Sequence, residues 1–257
     1  MTVGLNWLPQ TAFLFMLVFA RVGTILMLIP ALGEQSIPAR LRLTFGLALT
    51  LVLLPLLSSS MPPLPTDLGP LGILTLHEIA VGLILGGVTR LIVMAADLAG
   101  AIIAFQTGLS VAQAANPNEP GIQGAVIGNF LSMLGITLIF ATDLHHLALA
   151  AIVNSYKMIS PTDSLMVSDA MQMAIRTIAE GFTVGTQMAA PFIVFGLVFN
   201  VGLGILARLM PALQVYFLSM PGNIGVGLIL FAALLTMMMG WYLTHVRSAL
   251  MFVGGGG

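Results

Sequence analysis

Cysteine is missing from all 257 residues, and charge is scarce: only 7% are Asp, Glu, Lys or Arg, with 8 basic residues against 9 acidic and a net charge of -1. The first absence excludes disulfide frameworks, thiolate zinc sites and thiol nucleophiles. The second excludes a nucleic-acid binder, which needs a surplus of cations to neutralise phosphates. A soluble domain carries roughly 25% charged residues, so a water-soluble enzyme is excluded as well. What fills the chain is apolar: 58% hydrophobic residues and a mean hydropathy of +1.07. This composition predicts an all-α integral membrane protein, a single domain over residues 1–253, with about six spans of about 20 residues each. Gly254 to Gly257 read as a linker-like glycine tail outside that domain.

Breaks in the apolar pattern locate the spans. Met1 to Gln10 has no basic region, so the first run, about Leu8 to Leu32, is expected to be a retained span rather than a cleaved signal. Gly33 to Arg42 reads as a polar turn. A second span, about Leu43 to Leu57, stops at Ser58 to Ser60 and Pro62, Pro63 and Pro65, with a loop as far as Pro70. The third, Leu71 to Phe105, is too long for one perpendicular crossing and is expected to be tilted or broken. Gln106 to Gln123 gathers Asn116, Pro117, Asn118, Pro120 and Gly121 and reads as a loop. Gly124 to Ala141 follows, then a half-polar helix from Leu147 to Ile159 closed by Pro161. Ala170 to Leu209 should kink at Pro191. Val215 to Val246 should break, or fold into a hairpin, at Pro221-Gly222-Asn223. Basic residues fall almost evenly on the two sides of such a plan, so they do not set its orientation.

Seven charges, Arg21, Glu78, Arg90, Asp97, Arg176, Glu180 and Arg208, lie inside apolar stretches, where an isolated ionised group costs about 2.5 to 3.5 kcal/mol. Their near balance implies pairing, either as a relay for protons or ions or as ion pairs that hold an assembly together. His77-Glu78 opens like a zinc-protease helix, but the position of the second histidine is Val81. His145 and His146 are adjacent, hence about 100° apart on a helix, with no carboxylate cluster at ligand spacing. An interfacial role is expected for them, with no metal and no cofactor. No Gly-x-Ser-x-Gly elbow is present, and no catalytic residue is assigned. Gly-x-x-x-Gly pairs at Gly82/Gly86, Gly124/Gly128 and Gly181/Gly185 permit close helix approach, but 28 glycines give about three such pairs by chance. The 17 methionines suit irregular packing and lipid-facing filler equally well.

Several short motifs, in order, are similar to the FliR family of flagellar export-gate proteins and its injectisome counterparts. They are Arg21 with Pro30, then Glu34-x-Ser36-x-Pro38-x-Arg40; Glu78-x-x-x-Gly82-x-x-x-Gly86; Gly100, then Gln106-Thr107-Gly108-Leu109-Ser110; Asn116-Pro117; Leu144-His145-His146-Leu147; and Ala207-Arg208-Leu209-Met210-Pro211. The resemblance covers nearly the whole chain. It implies a non-enzymatic subunit of a helical multi-subunit pore complex, which joins FliP-type and FliQ-type subunits, with an FlhB-type switch protein as a further partner. Exported unfolded flagellar proteins would pass through this gate. It implies a bacterial inner-membrane location in the flagellar basal body, among lipid, with part of the assembly raised above the membrane on the periplasmic side. Arg21, Pro30, Arg40, Glu78, Gly82, Gly86, Arg208 and Pro211 would serve subunit assembly, with Arg21, Glu78 and Arg208 facing neighbouring subunits. The segment 106–123 would be a plug, through Gln106, Gly108, Leu109, Ser110, Gln113, Asn116, Pro117 and Glu119. Asn116 stands where an Asp is expected in many relatives, which removes a carboxylate from that turn. The alternative is an autonomous ion-coupled secondary transporter using Glu78, Asp97 and Glu180.

Overall fold

The computed structural model describes residues 8–30, 32–33, 37–110, 125–163, 167–210 and 214–253. Seven long α-helices account for most of these residues, and no strand occurs among them. They are α1 (Leu8–Leu28), α2 (Ala39–Leu57), α3 (Leu68–Gln106), α4 (Ala125–Ala141), α5 (Leu144–Met158), α6 (Val167–Leu209) and α7 (Val215–Val253), with a short 3-10 turn at Ser58–Ser60. Five of them are long and apolar enough to cross a bilayer. The bent pair α4 and α5, broken at Thr142 and Asp143, makes a sixth span if counted as one. Among the described residues this gives five such helices, or six with the bent pair, against about six expected from the sequence.

Prolines account for most of the departures from the expected boundaries. Pro38, in extended conformation, directly precedes α2, so Arg40 and Arg42 belong to its first turn and not to a polar turn before it. Pro70 does not mark the end of a loop but lies in the first turn of α3, where a missing N–H would have had no helical partner. The break expected at Pro221-Gly222-Asn223 is absent: α7 runs through it without interruption. One forfeited hydrogen bond costs less than unwinding a turn whose freed N–H and C=O groups have no water to meet. The helix α6 likewise continues through Pro191, with Met188, Ala189 and Phe192 fully buried beside it. The third span is one unbroken helix of 39 residues, about 58 Å long at 1.5 Å per residue.

The chain forms two compact units. One holds residues 1–92, 139–177 and 247–257, the other 93–138 and 178–246. In the first unit, α1 buries Phe13, Leu14, Leu17, Val18, Val22, Ile25 and Leu26, a stripe repeating at three and four residues that faces its neighbours. Gly46 of α2 stands against Leu26 and Phe19 of α1. In the second unit, Phe231 of α7 packs edge-on to Phe130 of α4 at 5.9 Å and lies 6.3 Å from Phe192 of α6. Gly100 of α3 crosses Gly128 of α4 so closely that a Cβ on Gly100 would overlap the Gly128 Cα. Beside that crossing, Ser132 donates a hydrogen bond to Asp97.

Candidate functional site: a buried arginine held by three helices

Arg21 and Glu78 are both entirely shielded from solvent. Arg21 Nε donates to Glu78 Oε2 at 2.8 Å and Nη2 to Glu78 Oε1 at 2.7 Å, the parallel two-bond geometry in which guanidinium and carboxylate are most strongly coupled. The remaining arm of the fork reaches α5: Nη1 donates to the carbonyls of Ser155 at 3.0 Å and Ile159 at 2.9 Å. Those carbonyls lie at the C-terminal end of α5, the negative end of its dipole; that of Ser155 also accepts the Ile159 N–H at 3.0 Å and meets Arg21 with its second lone pair. Tyr156 closes the pocket, its ring centroid 4.2 Å from the guanidinium carbon, while its hydroxyl donates to the Val18 carbonyl at 3.3 Å. A single cation thus ties α1, α3 and the C-terminal end of α5 into one unit. Its charge is matched by one carboxylate, and its fork makes four hydrogen bonds, so burial does not leave the charge unpaired.

The glycines one and two turns beyond Glu78 belong to the same seam. A Cβ on Gly82 would stand 2.8 Å from Thr24 Cβ and 3.0 Å from the Arg21 carbonyl, and one on Gly86 would stand 2.8 Å from Leu28 Cβ. The pairs 78 with 21, 82 with 24 and 86 with 28 rise together, so α1 and α3 run parallel along this line. Chance frequency made the glycine pair uninformative as a count. The contact distances make it the reason the backbones approach closely enough for Arg21 to reach Glu78.

Arg21 and Glu78 were expected to face neighbouring subunits, but they face each other inside the chain. Arg40, Arg208, Asp97 and Glu180 are exposed, and Arg208 lies in the last turn of α6, where a cation meets the helix dipole favourably. Pro30 is half-buried just past the end of α1. His77 Nδ1 lies 3.5 Å from Glu78 Oε1, and Val81 is fully buried, so no second imidazole joins it there. His145 and His146 do not diverge as helical spacing predicted: their ring centroids are 4.1 Å apart.

At the end of α3, in the second unit, Gln106 packs on Gly196 of α6, and Thr107 packs on Gly227 of α7. Gly108 takes a left-handed conformation at φ 73, which only glycine adopts without strain, and its open face meets the Asn223 amide nitrogen. Gln106 and Gly108 border a cavity of about 230 Å³ whose lining includes Phe105, Asn200, Tyr216 and Asn223. Leu109 and Ser110 are half-buried just beyond. The other expected plug residues, Gln113, Asn116, Pro117 and Glu119, and also Pro211, lie outside the described residues. Sequence reasoning missed Ser155, Tyr156 and Ile159. Two of them act through backbone carbonyls, which no side-chain pattern announces.

These features define a polytopic all-helical membrane protein that carries a fully buried, hydrogen-bonded Arg21–Glu78 ion pair. The family model described as bacterial export proteins, family 1, matches residues 12–249, and the chain belongs to that family. It is 49% identical over 216 residues to the flagellar biosynthetic protein FliR of Caulobacter vibrioides, covering 84% of this chain and 86% of that protein. The FliR protein of Bacillus subtilis is 30% identical over 220 residues, covering 84% and 83%. The Yop proteins translocation protein T of Yersinia pestis is 25% identical over 243 residues, covering 93% and 90%, which bears out the expected relation to injectisomes. The chain is a membrane subunit of the flagellar protein export apparatus.

Proposed function

We propose that this chain joins FliP-type and FliQ-type subunits into the export gate and helps to close its channel, with an FlhB-type switch protein as a neighbour. It supplies wall and gate, not catalysis. The observation that carries this reading is the extent of apolar surface on the last two helices. Exposed large apolar side chains recur on α6 from Met171 to Leu209 and on α7 from Tyr216 to Phe252, about 57 and 54 Å of helix at 1.5 Å per residue. A hydrocarbon core about 30 Å thick covers neither, even at the steepest usual tilt of about 40°. The surplus calls for protein partners, and favours an assembly partly raised above the inner membrane on the periplasmic side. Segment 106–123 acts in this reading as the plug that unfolded flagellar proteins displace.

The test is the native mass of the chain purified in mild detergent after co-expression with its genomic neighbours. One copy of this chain with several copies of two small membrane proteins supports the reading. A stable monomer that leaves them behind, and that drives ion-coupled uptake in liposomes, overturns it in favour of a transporter.

A further inference from the structure

The turn between α4 and α5 gathers three potential metal ligands. Asp143, His145 and His146 each direct one ligand atom to a common region, and those atoms lie within 4.8 Å of one another. His146 Nδ1 is 3.8 Å from Asp143 Oδ1. The backbone at Asp143 is left-handed, at φ 58, the one such conformation outside glycine among the described residues, a region that Asp and Asn enter more readily than other side chains. Asp143 occupies the position that normally caps a helix N-terminus, yet its carboxylate makes no capping hydrogen bond. The usual reason for an Asp at this position is therefore not at work. His145 Nδ1 is buried without a hydrogen-bond partner, an arrangement that costs free energy unless something accepts its lone pair or its proton. The side chains of Asp143 and His146 are 78% and 69% exposed, so an ion arriving from water reaches the group directly.

We infer that Asp143, His145 and His146 bind a borderline divalent transition-metal ion, of the Zn²⁺ or Ni²⁺ class. Two imidazoles and one carboxylate suit such ions, whereas Mg²⁺ and Ca²⁺ prefer all-oxygen sites. Ligands about 2.0 to 2.1 Å from a tetrahedral zinc stand roughly 3.3 Å apart, so the group has only to close inward through side-chain rotation. The carboxylate supplies the negative charge that the positive end of the α5 dipole lacks. Three protein ligands leave a fourth position open to water. The consequence is a clamp on the turn that separates α4 from α5, made without cysteine.

Zn²⁺ alone is the probe, added by equilibrium dialysis to the full chain in mild detergent, purified through a tag free of histidine. The chain has only two further histidines, His77 and His245. One equivalent bound in the micromolar range is expected, with X-ray absorption reporting nitrogen and oxygen neighbours only. His146→Ala and Asp143→Asn should each weaken binding at least tenfold. Asn tolerates the left-handed backbone, and both side chains are exposed, so elution volume and helical content should stay unchanged. Binding that is absent at 100-fold the protein concentration, that is equal in both variants, or that an excess of Mg²⁺ abolishes overturns the inference.

Discussion

Gly82 of α3 lies against Thr24 of α1 so closely that a methyl group on Gly82 would stand 2.8 Å from the Thr24 Cβ. The contact is between backbone-proximal atoms, so neither helix can yield by turning a flexible side chain aside. Replacing Gly82 by Val should destabilise the chain by about 1 to 3 kcal/mol, the usual cost of overpacking. Gly72, in the same helix with nothing within 4 Å, is the control: Gly72→Ala should stabilise by about 0.5 to 1 kcal/mol through lost unfolded-state freedom. Thermal unfolding in detergent compares the two, and equal effects would remove the seam from the account.

Arg21→Ala and Glu78→Ala should each cost about 3 to 5 kcal/mol, because each strands a buried partner. The double replacement Arg21→Met with Glu78→Leu should recover most of that loss. Arg21→Lys should not, since an ammonium lacks the planar fork that serves Glu78 and the α5 carbonyls together. A double-mutant cycle on the yield of folded chain decides this. Additive losses in the cycle would show that the pair is not coupled.

Arg208 is exposed at the end of α6, and its loss should act on assembly rather than folding. Arg208→Gln should lower the stability of the isolated chain by no more than about 1 kcal/mol, the worth of an exposed cation at a helix C-terminus. Recovery of the complex with its small partners should fall. A complex recovered in full would take Arg208 out of the interface.

If the segment acts as a plug, shortening residues 108–118 should raise ion leakage across the membrane while leaving complex recovery largely intact. Conductance of membranes carrying the complex measures the first quantity and native mass the second. Unchanged conductance would remove the plug role.

Much of this architecture was legible in the sequence because membrane helices announce themselves by length and hydropathy, and the expected ends near Leu57 and Ala141 agree with the ends of α2 and α4. The misreadings at Pro70 and Pro221 share one cause. Proline in a sequence reads as a helix terminator, whereas the first turn of a helix tolerates it and a waterless surrounding penalises unwinding more than one lost bond. Arg21 and Glu78 were visible as costly charges, but their partnership was not, since residues 57 apart in sequence meet only through tertiary packing. The glycine stripe was discounted because counting pairs ignores what stands opposite them. The carbonyls of Ser155 and Ile159 carry no signature at all.

Synthesis order gives the three-helix arginine knot a temporal side. Arg21 is made 57 residues before Glu78 and 138 residues before Ile159, whose carbonyl completes its shell. At about 5 to 20 residues per second, the first helix waits roughly 3 to 11 s for its carboxylate and longer for α5. During that interval its guanidinium has no partner in the chain, so α1 cannot settle at its final depth in lipid at low cost. Insertion of this protein is therefore a matter of delayed commitment, in which α1 leaves the ribosome before either of the two helices that hold its arginine.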